Sequence, residues 1–439
     1  MVKRKKRLLV FLTVVLLILS WLFAAAVVVM NNVHRNQNLI LNQAKAFLDD
    51  KLYMRAIPKY QEAVDNYKTE NNAEIEKKIL VTYKEAGKID DYYGLIEDRI
   101  DQKKAEPAEY MELAQFYLDA GDVKNAIVTL KSGIGVFADA EDMKTLYEQI
   151  RYEIKTVESN IEEMKQPQSN GYVPYFAGEK WGYTDLGARL ALEAQYEEAL
   201  AFSGKYAVVK LNGVYTLIDS IGDWYAIDKI GLDAVTGHSD TRITAKKDGK
   251  FGIYTNTFAE ITGAVYEDAV LSGNGLCFVK QQGKWGLADG NGEMITEFLY
   301  DDVALNSRGE AFASGFAVVK DGTGYFVVNE KGEALNEFRY ADAKGMEGSW
   351  VAVADKNGKW GFTDGVQEVI IPYQYQDAYS MSCDVAPVKY AGKWGYISKK
   401  NEFAIEPEYE QAMPFFNGNA IVKKMNLCEI LTLQYYSYF

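Results

Sequence analysis

The stretch Cys277-Phe278-Val279-Lys280-Gln281-Gln282-Gly283-Lys284-Trp285-Gly286-Leu287-Ala288-Asp289-Gly290-Asn291-Gly292, followed by an apolar run to Tyr300, decides how the C-terminal part of the chain folds. Cys277-x-Val279-Lys280 follows the small-x-Val-Lys alternation of a strand with one buried face. Gln282-Gly283 supplies a tight turn, so Trp285-Gly286-Leu287 returns as the second strand of a hairpin. The polar turn at Asp289 to Gly292 leads into a third strand. Such a meander cannot bury its own apolar face and must lean on copies of itself.

Those copies are present. The aromatic marker recurs at Trp181, Tyr215, Phe251, Trp285, Tyr325, Trp360 and Trp394, spaced 34, 36, 34, 40, 35 and 34 residues apart. Fifteen residues after the marker stand Tyr196, Tyr266, Tyr300, Tyr340, Tyr375 and Tyr409; the Tyr215 unit has Ile230 instead. Eight before it the residue is small or apolar (Ala207, Ile243, Cys277, Ala317, Ala352, Ala386), and five before it is often lysine (Lys210, Lys246, Lys280, Lys320, Lys389). Both aromatic positions read as a repeating core, with the Gly after the marker allowing close backbone approach. A partial eighth copy begins at Ala420 to Lys423, has Cys428 at the aromatic position, and ends in a tail, Leu431 to Phe439, that matches nothing upstream and reads as a cap or a truncation. Over about Tyr172 to Lys423 the pattern resembles the WG-repeat (KWG-repeat) family of bacterial proteins. The resemblance implies an architecture and a compartment rather than an activity. The expectation for 172–439 is an all-β domain of about seven and a half short meanders, as a propeller-like ring or an open superhelix.

Upstream of a linker at 166–171, residues 36–165 carry apolar residues three and four apart, the helical period. Ala56, Tyr92 and Ala126 are successive equivalents, 36 and 34 residues apart, a period of stacked helical hairpins. Gly87 and Gly121 fall where the turn within a hairpin needs a residue free of a Cβ penalty, and Pro107 marks a helix start. This segment resembles the tetratricopeptide repeat family, most clearly over Tyr110 to Gly133, although the family's usual Trp is absent and Tyr92 replaces a small residue. The resemblance implies a protein-binding groove; a spacer stalk accounts for the same pattern. A longer helix around Ala140 to Met164 is expected to cap the stack.

Leu8 to Met30 is a run of 23 residues without a charge, roughly 34 Å as a helix and long enough to span a bilayer core. The basic tail 1–7 precedes it, so the positive-inside bias places residues 31–439 outside. A cleaved signal at Ala24-Ala25-Ala26 is the competing reading, but a signal's apolar region is usually shorter.

Composition narrows the function. The net charge is -14; subtracting the five basic residues of the tail leaves -19 for the remainder, which argues against a nucleic-acid partner. Three dispersed cysteines and two histidines, His34 and His238, give a zinc site or catalytic triad little to work with. No phosphate loop, nucleophile elbow or metalloprotease motif is present. Asp185, Asp219, Asp289 and Asp364 follow their markers by four residues and read as turn formers; the acids after the repeated Tyr, such as Glu267-Asp268 and Asp301-Asp302, read as a solvated rim. No cofactor or metal is expected. Trp224 and Trp350 are candidate contact aromatics, with core packing as the alternative. The expected function is a membrane-anchored, extracytoplasmic binding or scaffold protein, not an enzyme, with a protein or cell-wall partner. A carbohydrate-binding module is the second reading. A hydrolase would need two carboxylates from different units facing each other across a central cavity.

Overall fold

A computed structural model describes the backbone over residues 2–167 and 171–436, and the side chains over 15–167 and 171–435. Part of the expected anchor (side chains 8–14), part of the linker (168–170) and the end of the tail (437–439) lie outside the described residues. Contacts divide the chain into two units, 1–147 and 148–439.

The first unit is helical: α1 (Val2–Asp49), α2 (Tyr53–Asn66), α3 (Asn72–Glu85), α4 (Ile89–Asp101), α5 (Pro107–Asp119), α6 (Val123–Val136) and the start of α7 (Glu141–Ile150). The apolar run and the first helix of the stack form one 48-residue helix, because neither glycine nor proline interrupts the sequence between them. From Val15 onward it contains an 18-residue window of mean hydropathy 2.1, none of it buried. Ala44, Ala56, Ile57, Tyr60, Ile75 and Ile79 form the first core of the stack, and Leu80, Tyr92, Ile96 and Leu113 the next. Gly87 and Gly121 adopt φ of +67° and +75°, with open space where a Cβ would stand; backbone conformation, not packing, selects glycine there. Pro107 opens α5 beneath a capping box in which Glu106 N donates to Glu109 Oε2 at 2.7 Å. Buried Arg99 ties three elements, donating to Glu109 Oε1 at 2.6 Å and Glu76 Oε2 at 2.9 Å.

The helix expected over 140–164 ends at Ile150. Ile154–Glu158 and Glu163–Met164 are strands of the second unit; the first pairs with Leu433 to Glu429, far along the chain, and the second with Phe176 and Tyr175.

The second unit is an eight-bladed β-propeller-like ring. Blade 1 comprises Glu163–Met164, Tyr172–Ala177, Lys180–Asp185 and Leu190–Tyr196, and blade 2 comprises Glu198–Ala199, Ala207–Leu211, Val214–Ile218 and Trp224–Ile227. Blades 3 (Ala234–His238, Arg242–Lys247, Lys250–Thr255) and 4 (Asp268–Leu271, Cys277–Gln281, Lys284–Ala288) have three regular strands each. Blade 5 spans Asp302–Ala304, Phe316–Asp321 and Gly324–Asn329, with Phe312–Ala313 as a short extension. Blades 6 (Asp342–Ala343, Val351–Ala354, Trp360–Thr363, Ile371–Tyr375) and 7 (Asp377–Ala378, Val385–Tyr390, Lys393–Ser398, Phe403–Tyr409) have four. Blade 8 pairs Gln411–Ala412, Asn419–Lys424 and Leu427–Leu433, and its outermost strand is Ile154–Glu158, with Ile154 opposite Leu433. The ring is therefore closed by a strand from before blade 1. Between blades 8 and 1, Met164, Val173 and Tyr175 pack on Ile421, Cys428 and Ile430.

Blades 1, 2, 6 and 7 thus hold one more strand than the three-stranded meander expected from sequence, whereas in blades 3, 4 and 5 the expected third strand is reduced to isolated bridges. The extra strand is the innermost, often only two residues long, and begins two residues after the repeated Tyr. The solvent-facing acids that follow the repeated Tyr also brace the hairpins: Glu267 accepts from the backbone N–H groups of Gln282 and Gly283, both at 3.0 Å, and Glu197 and Glu410 hold the equivalent hairpins of their blades.

Cross-strand register explains the recurring spacings. Trp181, Trp360 and Trp394 stand directly opposite Tyr196, Tyr375 and Tyr409 on the next strand, and isolated bridges pair Phe251, Trp285 and Tyr325 with Tyr266, Tyr300 and Tyr340. Lys210, Lys280 and Lys320 stand opposite their markers on the other side, with ammonium groups 4.8, 5.4 and 5.0 Å from the ring centres, within cation–π range. The six repeated tyrosines are buried. Of the markers, Tyr215, Trp285, Trp360 and Trp394 are buried, whereas Trp181, Phe251 and Tyr325 are partly exposed. The Gly after the marker sits under the outer strand: a Cβ on Gly182 would lie 2.6 Å from Leu192 O, and the pairing skips a residue there.

Three of the repeated tyrosines also rivet their blade to the next. Tyr300 donates to Gly332 O at 3.1 Å, Tyr340 to Glu368 O at 2.9 Å and Tyr375 to Asn401 Oδ1 at 2.5 Å; each acceptor lies in the outer turn of the following blade. Tyr375→Phe is expected to cost about 1 kcal/mol, read as a lowered urea midpoint. An unchanged midpoint would refute the rivet.

Candidate functional site

Where the innermost strands converge, a cavity of about 300 Å³ opens. Leu200, Leu271 and Met413 supply apolar wall, and Gln166, His238 and Arg308 supply polar groups. These residues come from blades 1, 2, 3, 4, 5 and 8, so the ring itself assembles the cavity.

Arg308 is held in a buried ion cluster. Its Nε donates to Glu310 Oε2 at 3.1 Å and its Nη1 to Glu347 Oε2 at 2.9 Å, while the guanidinium lies 4.3 Å from the Phe416 ring centre. Glu347 also accepts from Ser307 N at 2.5 Å. Burial pushes the Glu347 carboxyl above its usual range, against the pull of Arg308. Glu310 and Glu347 come from different blades, as a hydrolase would require, yet both face Arg308 and only Glu310 lines the cavity. The ammonium of Lys165 donates to Ala199 O at 2.8 Å and lies 3.9 Å over the Trp181 ring.

Three lining side chains have buried atoms without a partner among the described residues, Gln166 Oε1, His238 Nδ1 and Ser307 Oγ. The Gln166 amide is fixed from its other end, Nε2 donating to Pro414 O at 2.7 Å. His238 is 9% exposed, and burial pushes its pKa down to about 4 from 6.5, against a weaker opposing pull from Asp240. The folded state resists a proton that the unfolded state accepts. The stability contribution of neutral His238 is therefore full above pH 6.5 and is lost as pH falls through about 4. His238→Asn is expected to remove up to about 3 kcal/mol of the acid-side loss, seen as a flatter stability curve in urea titrations at stepped pH. Parallel curves for the two proteins would exclude that role.

No axial residue was singled out from sequence, although a signal existed. His238 faces Ile243 across its strand pair as Leu271 faces Cys277 in blade 4, so a polar residue occupies an apolar repeat position.

The other candidates lie apart. Asp185, Asp219, Asp289 and Asp364 each accept from backbone N–H groups two and three or four residues on, as turn formers do. Trp224 is 60% exposed on the outer strand of blade 2, beside Tyr225, whose ring stacks on Tyr206 at 4.4 Å. Trp350 is half-buried against the core between blades 6 and 7. In the helical unit, a groove of about 590 Å³ runs between α1 and α3, lined by Leu41, Lys45, Tyr60, Lys78 and Val81.

The model of the family described as WG containing repeat matches residues 181–215, 285–322, 360–394 and 394–428. The C-terminal region thus carries WG repeats, arranged as blades. Among solved structures, the chain is similar to apo AztD from Citrobacter koseri, at 12% identity and TM-score 0.34, covering 59% of this chain and 87% of that one. It is similar also to PorZ of Porphyromonas gingivalis, described as an essential surface component of the type-IX secretion system, at 10% identity and TM-score 0.32, covering 61% of this chain and 42% of PorZ. The AfRom2 CNH domain matches at 8% identity and TM-score 0.36, covering 64% of this chain and 99% of that domain. No curated protein matches the chain.

Proposed function

We propose that the chain is a membrane-anchored, extracytoplasmic binding or scaffold protein without catalytic activity, whose repeat surfaces engage a protein partner. A WG-repeat propeller fits a binding or scaffold role. The observation that carries the reading is that recurring residues are spent on blade pairing, turns and rivets, which frees the remaining surface to vary. The helical hairpins, with their resemblance to tetratricopeptide repeats, add a groove of peptide-binding size. The α1 window of mean hydropathy 2.1 suits a single-pass anchor or a signal sequence, and the basic tail favours an inward N-terminus.

Added protease is expected to digest the propeller on intact cells. Digestion only after lysis would overturn the outward topology. Trp224, at 60% exposure beside Tyr225, favours a second reading, cell-wall or carbohydrate binding on the outer strand of blade 2. In that case Trp224→Ala should abolish retention on isolated cell-wall material, and equal retention would leave the protein-partner reading.

A further inference from the structure

The geometry points to the axial cavity as a binding site for a neutral, hydroxyl-bearing molecule of about monosaccharide size. This goes beyond the scaffold reading and does not depend on it.

Size comes first. At about 300 Å³ the cavity holds the equivalent of about ten waters, room for one sugar ring and too little for a polymer. Charge comes next. Both cations at the cavity are already engaged, Arg308 by Glu310 and Glu347 and the Lys165 ammonium by Ala199 O and the face of Trp181. A charged ligand would lose its hydration and gain no free counter-charge. A neutral one escapes that cost.

Hydrogen bonding then selects among neutral molecules. Among the described residues Gln166 Oε1 is a buried acceptor without a donor, and its amide cannot turn away because Nε2 is held on Pro414 O. His238 Nδ1 is a second buried atom without a partner among the described residues, and Ser307 Oγ a third. Buried groups of this kind cost stability until something bonds to them. A hydroxyl both donates and accepts, so several on one ring suit this mixed set. Leu200, Leu271 and Met413 meet the C–H faces of such a ring.

His34 and His238 are the only histidines, so imidazole resonances of the full chain in detergent report on the cavity with an internal control. Glucose or N-acetylglucosamine is expected to shift the His238 signal saturably while leaving His34 in place. Glucosamine and glucuronate, which carry charge, should bind at least about tenfold more weakly. Gln166→Leu should weaken binding by about tenfold or more. Leu271→Trp, which fills the cavity without touching its polar groups, should abolish it. An unchanged melting temperature of the propeller would verify the fold of each variant. The proposal is overturned if neither neutral sugar gives a saturable shift, as in a cavity holding water only, if charged analogues bind equally, or if Leu271→Trp binds like the parent.

Discussion

Replacing residues 154–158 by a Gly/Ser segment of equal length is expected to lower the melting temperature of the propeller by on the order of 10 to 20 °C. Ile154–Glu158 pairs residue for residue with Leu433 to Glu429, and Val157 packs against the cluster that joins blades 8 and 1. The ladder contributes about 1 kcal/mol per hydrogen bond net, and partial burial of Ile154 and Val157 adds about 1 to 3 kcal/mol. A loss on the order of 5 kcal/mol follows, and each kilocalorie moves a domain of this size by about 2 to 4 °C. The Leu427–Leu433 edge would also be left open, a template for association. Calorimetry of parent and variant reads the shift; melting points within about 2 °C would show that the ring does not depend on this strand.

Gly395→Ala is expected to destabilise the propeller by about 3 kcal/mol, and Gly392→Ala in the same hairpin by only about 1 kcal/mol. The two glycines serve different ends. A Cβ on Gly395 would lie 2.6 Å from Ile405 O and 2.7 Å from Pro407 N, backbone atoms that cannot yield without breaking the outer strand. Gly392 has open space around it but a φ of +85°, so only backbone conformation opposes a side chain. Urea midpoints of the two variants separate the cases. Equal losses would mean that close approach is not why glycine follows the marker.

Much of the propeller was legible because strand pairing writes itself into the sequence as fixed spacing. A marker and the Tyr opposite it on the next strand must be separated by one turn, hence the constant fifteen residues. The innermost strands were not legible: Glu198–Ala199 and Asp377–Ala378 are two residues long and show no alternation. The misplaced helix over 140–164 has a related cause. Ile154–Glu158 is a strand only because Leu427–Leu433 lies beside it, and no local pattern announces a partner so remote. The axial cavity escaped notice because six blades contribute to it, whereas a repeat is read from what its copies share. His238 and Gln166 matter there because they depart from that common pattern. The exposed Trp224 was legible for the same reason, standing off the marker position, while Trp350 turned out half-buried.

The closing strand also sets an order of events. Ile154 meets Leu433, 433 minus 154 or 279 residues later, the kind of long-range contact that raises contact order and slows folding. At synthesis rates of about 5 to 20 residues per second, roughly 15 to 55 seconds separate the making of the two strands. Through that interval the edge strand waits unpaired while seven blades assemble beside it, and the ring locks only when the last blade arrives.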